Sequence, residues 1–282
     1  MERWFAYESG MSWCESQSDN KYKIVPFVAE FANTVSNLPL VLFPLLNVFQ
    51  LWPYLSRVNP LAIWPHALLA LNGMASAYYH ATLSLFGQLM DELLLLHMIN
   101  TCLIAYMPVL DRVVPPKLQA YHRHIRLAIV LLSVMVSVLC FIKPAVNAFV
   151  LITFSLPAAF LVYFEGTRNG IPEAPHLINR IMLSWTMAIT CWLADRLICE
   201  LWLQLGTPYL HAVWHFLAAY AGYNVFVMFS LLDIKKRSAI KQHGFSTSIR
   251  YFPSLQGLPK DGPPFLTFPY LVLMDSSAKC LE

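Results

Sequence analysis

Apolar residues in this chain fall into long unbroken runs, not into the alternation of a half-buried sheet or the stripe of a soluble amphipathic helix. A helix needs ~20 mostly apolar residues to cross the hydrocarbon core of a bilayer. Seven runs of about that length are present: Asn33–Leu51, Leu61–Leu83, Gln88–Leu110, Leu127–Phe141, Ala145–Phe164, Ile178–Leu197 and Tyr209–Leu232. Prolines and short polar segments separate them, and no internal repeat is visible. The pattern predicts an all-α integral membrane protein with seven transmembrane helices. Residues 1–32 form an N-terminal segment, 33–232 the membrane domain, and 233–282 a tail rich in Pro, Gly and Ser with little periodicity.

Composition agrees. The chain is 57% hydrophobic and only 12% charged, whereas soluble domains carry about 25% charged residues. The net charge of +3 is small and the basic residues are scattered among loops, so nucleic-acid binding is not indicated. The lipid bilayer is the expected partner, and no obligate protein partner is evident. The start, MERWFAYESG, carries two acids and no long apolar core, so no cleavable signal peptide is expected. There is no CxxC pair, and Cys102, Cys140 and Cys191 lie in apolar runs, where an inert buried thiol is the ordinary case.

Basic residues orient the spans. Arg57, Arg112, Lys117, Arg123, Arg126, Arg168 and Arg180 fall in one set of loops, and Lys235, Lys236, Arg237 and Lys241 in the tail on the same side. Arg3, Lys21, Lys23, Lys143 and Arg196 fall on the other. The tail is therefore expected in the cytosol, and the N-terminal segment on the lumenal or extracellular side.

That topology brings histidines together. In Tyr209–Tyr220, YLHAVWHFLAAY, His211 and His215 are four residues apart, which stacks both rings on one helical face. His80 closes the second run, and Asp91 opens the third on the same side. Three neutral imidazoles plus water make a recurrent catalytic zinc shell, and ionisable groups within membranes tend to be functional. Ser76, one turn before His80, is either a helix-packing serine or a donor to an oxyanion or a nearby carboxylate. His66 and His97 fall deeper or toward the cytosolic side, and Asp195 and Arg196 read as a structural pair.

These residues resemble the alkaline ceramidase family of seven-span membrane hydrolases. The resemblance runs through FAYESGMSWCES, VAEFANTVSN (Val28–Asn37), SAYYHATLSLFGQLMDEL (Ser76–Leu93), KPAVNAF (Lys143–Phe149), DRLICELW (Asp195–Trp202) and PYLHAVWH (Pro208–His215). It implies hydrolysis of the amide of ceramide to sphingosine and a free fatty acid by a zinc-activated water. It also implies residence in the endoplasmic reticulum or Golgi membrane, or the plasma membrane. His80, His211 and His215 match the zinc ligands, and Asp91 and Ser76 the other active-site positions. A calcium site is implied at Trp13, through its carbonyl, with Glu15 and Glu30. The family's asparagine corresponds to Asn20 or to Gln17, because the stretch from Glu15 to Glu30 looks about four residues longer than usual. The family's aspartate before Trp-Cys-Glu is here Ser12, a loss for which Asp19 can compensate, since calcium favours several carboxylate oxygens. Seven spans with an intramembrane zinc also resemble the adiponectin-receptor group, which leaves a signalling receptor as the alternative. A transporter is disfavoured because no span is broken in paired halves.

One covalent feature follows from the topology. Cys14 and Cys199 are the two cysteines placed outside the cytosol and outside the spans, in a compartment that permits disulfides. They are expected to pair, with two free thiols as the alternative.

Overall fold

The structure is a computed structural model, which describes residues 10, 12–143, 146–168, 170–239, 245–252 and 267–275. Among these, seven helices reach 20 residues or more: α1 Leu38–Arg57, α2 Ile63–Thr82, α3 Leu85–Ala105, α4 His122–Ile142, α5 Asn147–Arg168, α6 Ala174–Leu197 and α7 Leu210–Ala239. Six are long and apolar enough to cross a membrane. The other is α2, which has the length but carries His66, Asn72, Ser76 and His80 on its buried side. Its hydropathy is lowered by these polar residues, of which Asn72, Ser76 and His80 furnish the candidate site.

The helices are not equivalent. In the most apolar window of α7, 83% of residues are buried, against 11% in α4 and in α5. Thus α7 is the central post, while α4 and α5 turn Leu131, Met135, Phe149 and Leu156 outward. Such a surface suits lipid and would be a liability in water. The core lies where α1, α3 and α6 meet α7, around Leu51, Tyr54, Tyr106, Ile178, Tyr223 and Met228. Beyond the apolar run, α7 continues to Ala239, and its buried Asp233 accepts hydrogen bonds from Tyr54, Asn59 and Arg237.

One tight junction sets the site. α2 ends at Leu83 in the left-handed conformation (φ 52°), and Ser84 caps α3 by accepting from the Gly87 amide at 3.1 Å. A left-handed C-terminal residue and a serine N-cap are ordinary stop and start devices. Gly87 is required by close approach, because a Cβ there would lie 2.9 Å from Tyr79 Cα. The two-residue junction folds α3 back along α2, so Asp91 returns beside Asn72 and Ser76.

The tail departs from the all-α expectation. Strands β1 Phe245–Phe252 and β2 Phe268–Asp275 pair antiparallel, with Phe252 opposite Phe268 and Phe245 opposite Asp275. The sheet packs on α1 and α7. Alternation of Thr247, Ile249 and Tyr251 with Ser248 and Arg250 is a strand signal, which the tail's composition conceals. The structure also joins Cys14 to Cys199, across 185 residues, with Cα atoms 5.4 Å apart. Replacing both cysteines by serine is expected to lower stability by ~2–4 kcal/mol. Thermal unfolding of the purified double variant measures it.

Candidate metal centre

His80, at the end of α2, and His211 and His215, in the first turns of α7, bring one ring nitrogen each to within 4.8 Å of one another. Among the described residues this is the only group of three or more potential metal ligands with that geometry. All three side chains are buried. His80 Nδ1 lies 2.6 Å from Glu30 Oε2 and donates its proton there, so Nε2 keeps its lone pair. Ser36 Oγ donates to the Asn33 carbonyl at 3.0 Å and can therefore accept from His215 Nδ1 at 2.7 Å. His215 Nε2 is thereby presented as a lone pair with no hydrogen-bond partner. His80 Nε2 and His211 Nε2 face each other at 3.3 Å.

The lone pairs of His80 and His215 converge with His211 Nε2 in a buried site, and a cation placed there would take all three nitrogens as ligands. The donor set therefore fits a metal. Neutral imidazoles whose other nitrogen donates to a carboxylate or hydroxyl are the usual zinc arrangement. Glu30 does this work for His80 and Ser36 does it for His215. Nothing in the residue spacing announces Ser36.

The two other expected active-site residues adjoin the cluster. Ser76 is buried one turn before His80, and its side chain hydrogen-bonds Asp91. Asn72, a second residue that the sequence does not single out, donates through Nδ2 to Asp91 Oδ1 at 2.9 Å and to the Asp91 carbonyl at 2.7 Å. Asp91 and His80 are near enough to interact electrostatically. His66 and His97 stand apart from the trio: His66 donates from Nδ1 to the Ala62 carbonyl, and His97 Nε2 meets Ser137 Oγ at 3.0 Å.

The N-terminal segment lies against the same end of the bundle. Trp13 stacks on His211 with ring centroids 3.6 Å apart, and its carbonyl closes the first turn of the short helix Cys14–Gln17. Glu15 accepts from the Ala32 and Asn33 amides at 2.7 and 2.8 Å. Burial pushes its carboxyl above the usual range, while the Asn33 and Ala32 amides pull the other way. Burial also raises Glu30, but the His80 and Asn33 contacts outweigh it and hold Glu30 below its ordinary value. Asn20 donates to the Tyr209 hydroxyl at 3.1 Å. Asp195, read in the sequence as structural, touches both the N-terminal segment and α7.

Three convergent buried imidazoles, with a carboxylate and a hydroxyl alongside, define a centre able to hold a metal, in a bundle that includes six helices long and apolar enough to cross a membrane. The family follows from the whole chain. The family model described as Ceramidase matches residues 6–256, and the chain belongs to that family. It is 46% identical to an alkaline ceramidase of Caenorhabditis briggsae and 47% identical to one of Caenorhabditis elegans, each over 98% of both chains. It is 32% identical to alkaline ceramidase 1 of Homo sapiens, over 88% of this chain and 91% of the human one. The receptor alternative finds no support among these relatives.

Proposed function

We propose that this protein is an alkaline ceramidase: a multi-pass membrane amidohydrolase that cleaves the amide of ceramide into sphingosine and a free fatty acid, with zinc on His80, His211 and His215. The observation that carries the reading is the convergence of those three buried nitrogens beside Asp91 and Ser76, in a chain of the ceramidase family. In this reading all seven long helices span the bilayer, of the endoplasmic reticulum or Golgi by preference. The N-terminal segment is lumenal and the tail cytosolic.

An amide is a poor electrophile, and bound zinc would supply the missing activation by polarising the carbonyl and lowering the pKa of water to about 7. The chain's own groups do the rest. Glu30 and Ser36 fix the tautomers of His80 and His215. Asn72 holds the Asp91 carboxylate, which orients the attacking water, takes its proton and passes it to the leaving sphingosine nitrogen. Once Asp91 holds that proton, the Ser76 hydroxyl is released from it and donates a hydrogen bond to the oxyanion that develops on the amide carbonyl. The apolar interior between the helices receives the alkyl chains. Glu15, Glu30, Asn20 and the Trp13 carbonyl are the proposed calcium ligands. Glu30 Oε1, buried without a hydrogen-bond partner, suits a hard cation that favours oxygen ligands.

The test is release of fatty acid from ceramide by the purified, zinc-loaded protein, and no release from a well-folded preparation would overturn the proposal. Asp91→Asn is expected to keep most of the zinc and lose ~10²–10⁴ in kcat. Ser76→Ala is expected to lose ~10²–10³, with metal content unchanged. Zinc loss in either variant would instead mark that residue as part of the binding shell.

A further inference from the structure

Asp195 occupies the last turn of α6 and is buried. Its two carboxylate oxygens accept from two backbone amides remote in sequence. Oδ2 takes the Cys14 amide at 3.0 Å, across 181 residues, and Oδ1 takes the His211 amide at 3.2 Å. The first amides of a helix have no partner within it. The residues before α7, Pro208 and Tyr209, lack the short side chain that ordinarily supplies one. Here the partner comes from another helix, and its charge suits the positive end of α7.

The amide so held belongs to one of the three convergent histidines. The other amide belongs to a cysteine joined to Cys199, one turn beyond Asp195. The residue before that cysteine, Trp13, covers the His211 ring, and Arg196 lies 5.3 Å over the indole. The His211 backbone, its ring and the anchored N-terminal segment are thus all referred to one turn of α6.

We propose that Asp195 is a positioning residue for His211: its carboxylate fixes the rotation of the first turn of α7 against the disulfide-anchored N-terminal segment, so that His211 meets His80 and His215 in a single geometry. This rests on the reading that the three histidines hold a metal. A site of this kind needs its ligands held within ~0.5 Å and 10–20° of the productive arrangement, and a freed first turn exceeds that tolerance.

Asp195→Asn keeps the shape but turns an NH₂ group toward one of the two N–H donors. Zinc affinity of the purified full-length protein, measured by competition with a chromophoric chelator, is expected to fall ~10–100-fold, as for other partners of metal ligands. Asp233→Asn is the control: Asp233 is a buried carboxylate near the far end of α7, bonded to Tyr54, Asn59 and Arg237. It is expected to lower thermal stability and leave zinc affinity as in the wild type. Unchanged affinity in Asp195→Asn, or an equal loss in Asp233→Asn, would overturn the assignment and leave the histidine centre standing. Absence of zinc binding by the wild-type protein would overturn both. A further measurement needs no variant to fold: in zinc-free wild-type protein the Cys14 and His211 amides are expected to exchange slowly with deuterium. Fast exchange at both would also overturn the proposal.

Discussion

Replacing His80, His211 or His215 by alanine is expected to abolish ceramide hydrolysis and to strip the protein of zinc, while leaving its insertion in the membrane intact. Each variant removes one of three convergent nitrogens, and a two-histidine site no longer matches the three-ligand shell of a catalytic zinc. The activation at stake is several kcal/mol of transition-state stabilisation, so the fall in kcat/KM is expected to be about 10³-fold or more. Insertion should survive, because the histidines lie at helix ends and the apolar faces are untouched. Metal analysis of the purified variants alongside fatty-acid release checks the assignment. Full zinc occupancy in His211→Ala would show that the metal is held elsewhere. The three substitutions should be far from additive, since any one of them already dismantles the site.

Much of this centre is legible in the residue pattern alone. His211 and His215 are adjacent on one helix face by their spacing, and alternation of span direction brings His80 and Asp91 to the same end. The same assignment of sides pairs Cys14 with Cys199. The residues that the pattern does not reveal have a common physical character. Asn72, Ser36 and Asp195 are single polar residues whose partners come from other elements, and no periodicity marks such a residue as more than tolerated. Family resemblance points Glu30 toward calcium, but its hydrogen bond to His80 Nδ1 depends on the path of the chain into α1, which the hydrophobic pattern does not encode. The polarity of α2 has the same origin: its Asn72, Ser76 and His80 serve the site at the expense of hydropathy. The tail misleads for the opposite reason, since its Pro and Gly content hides a real alternation in β1.

Ending the chain at Ala239 is expected to destabilise the membrane domain by ~3–5 kcal/mol, because the hairpin completes the surroundings of a buried charge. Arg180 lies in α6 and is only 6% exposed. Its Nη1 donates to the Tyr220 hydroxyl and to the Thr267 carbonyl, at 2.9 and 2.8 Å, and Nη2 donates to Thr267 Oγ1 at 3.0 Å. Its guanidinium also stands 5.1 Å over the Tyr251 ring. Beside it Phe268 fills an aromatic box of Phe43, Tyr220 and Tyr223, with centroids 5.2, 5.5 and 5.6 Å away. Truncation removes Thr267, Tyr251 and Phe268 together and leaves the buried guanidinium with fewer acceptors. A charge that loses partners in a dry interior costs far more than a neutral side chain of the same size. Arg180→Met should therefore change sign with context. In the full-length protein it is expected to destabilise by ~1–3 kcal/mol, through the donors withdrawn from Thr267 and Tyr220. In the truncated protein it is expected to restore part of the lost stability. Thermal unfolding of the four proteins in one detergent closes the cycle. Equal effects of Arg180→Met in both backgrounds would show that hairpin and guanidinium act independently, and wild-type stability of the truncated chain would show that the hairpin contributes nothing to the fold.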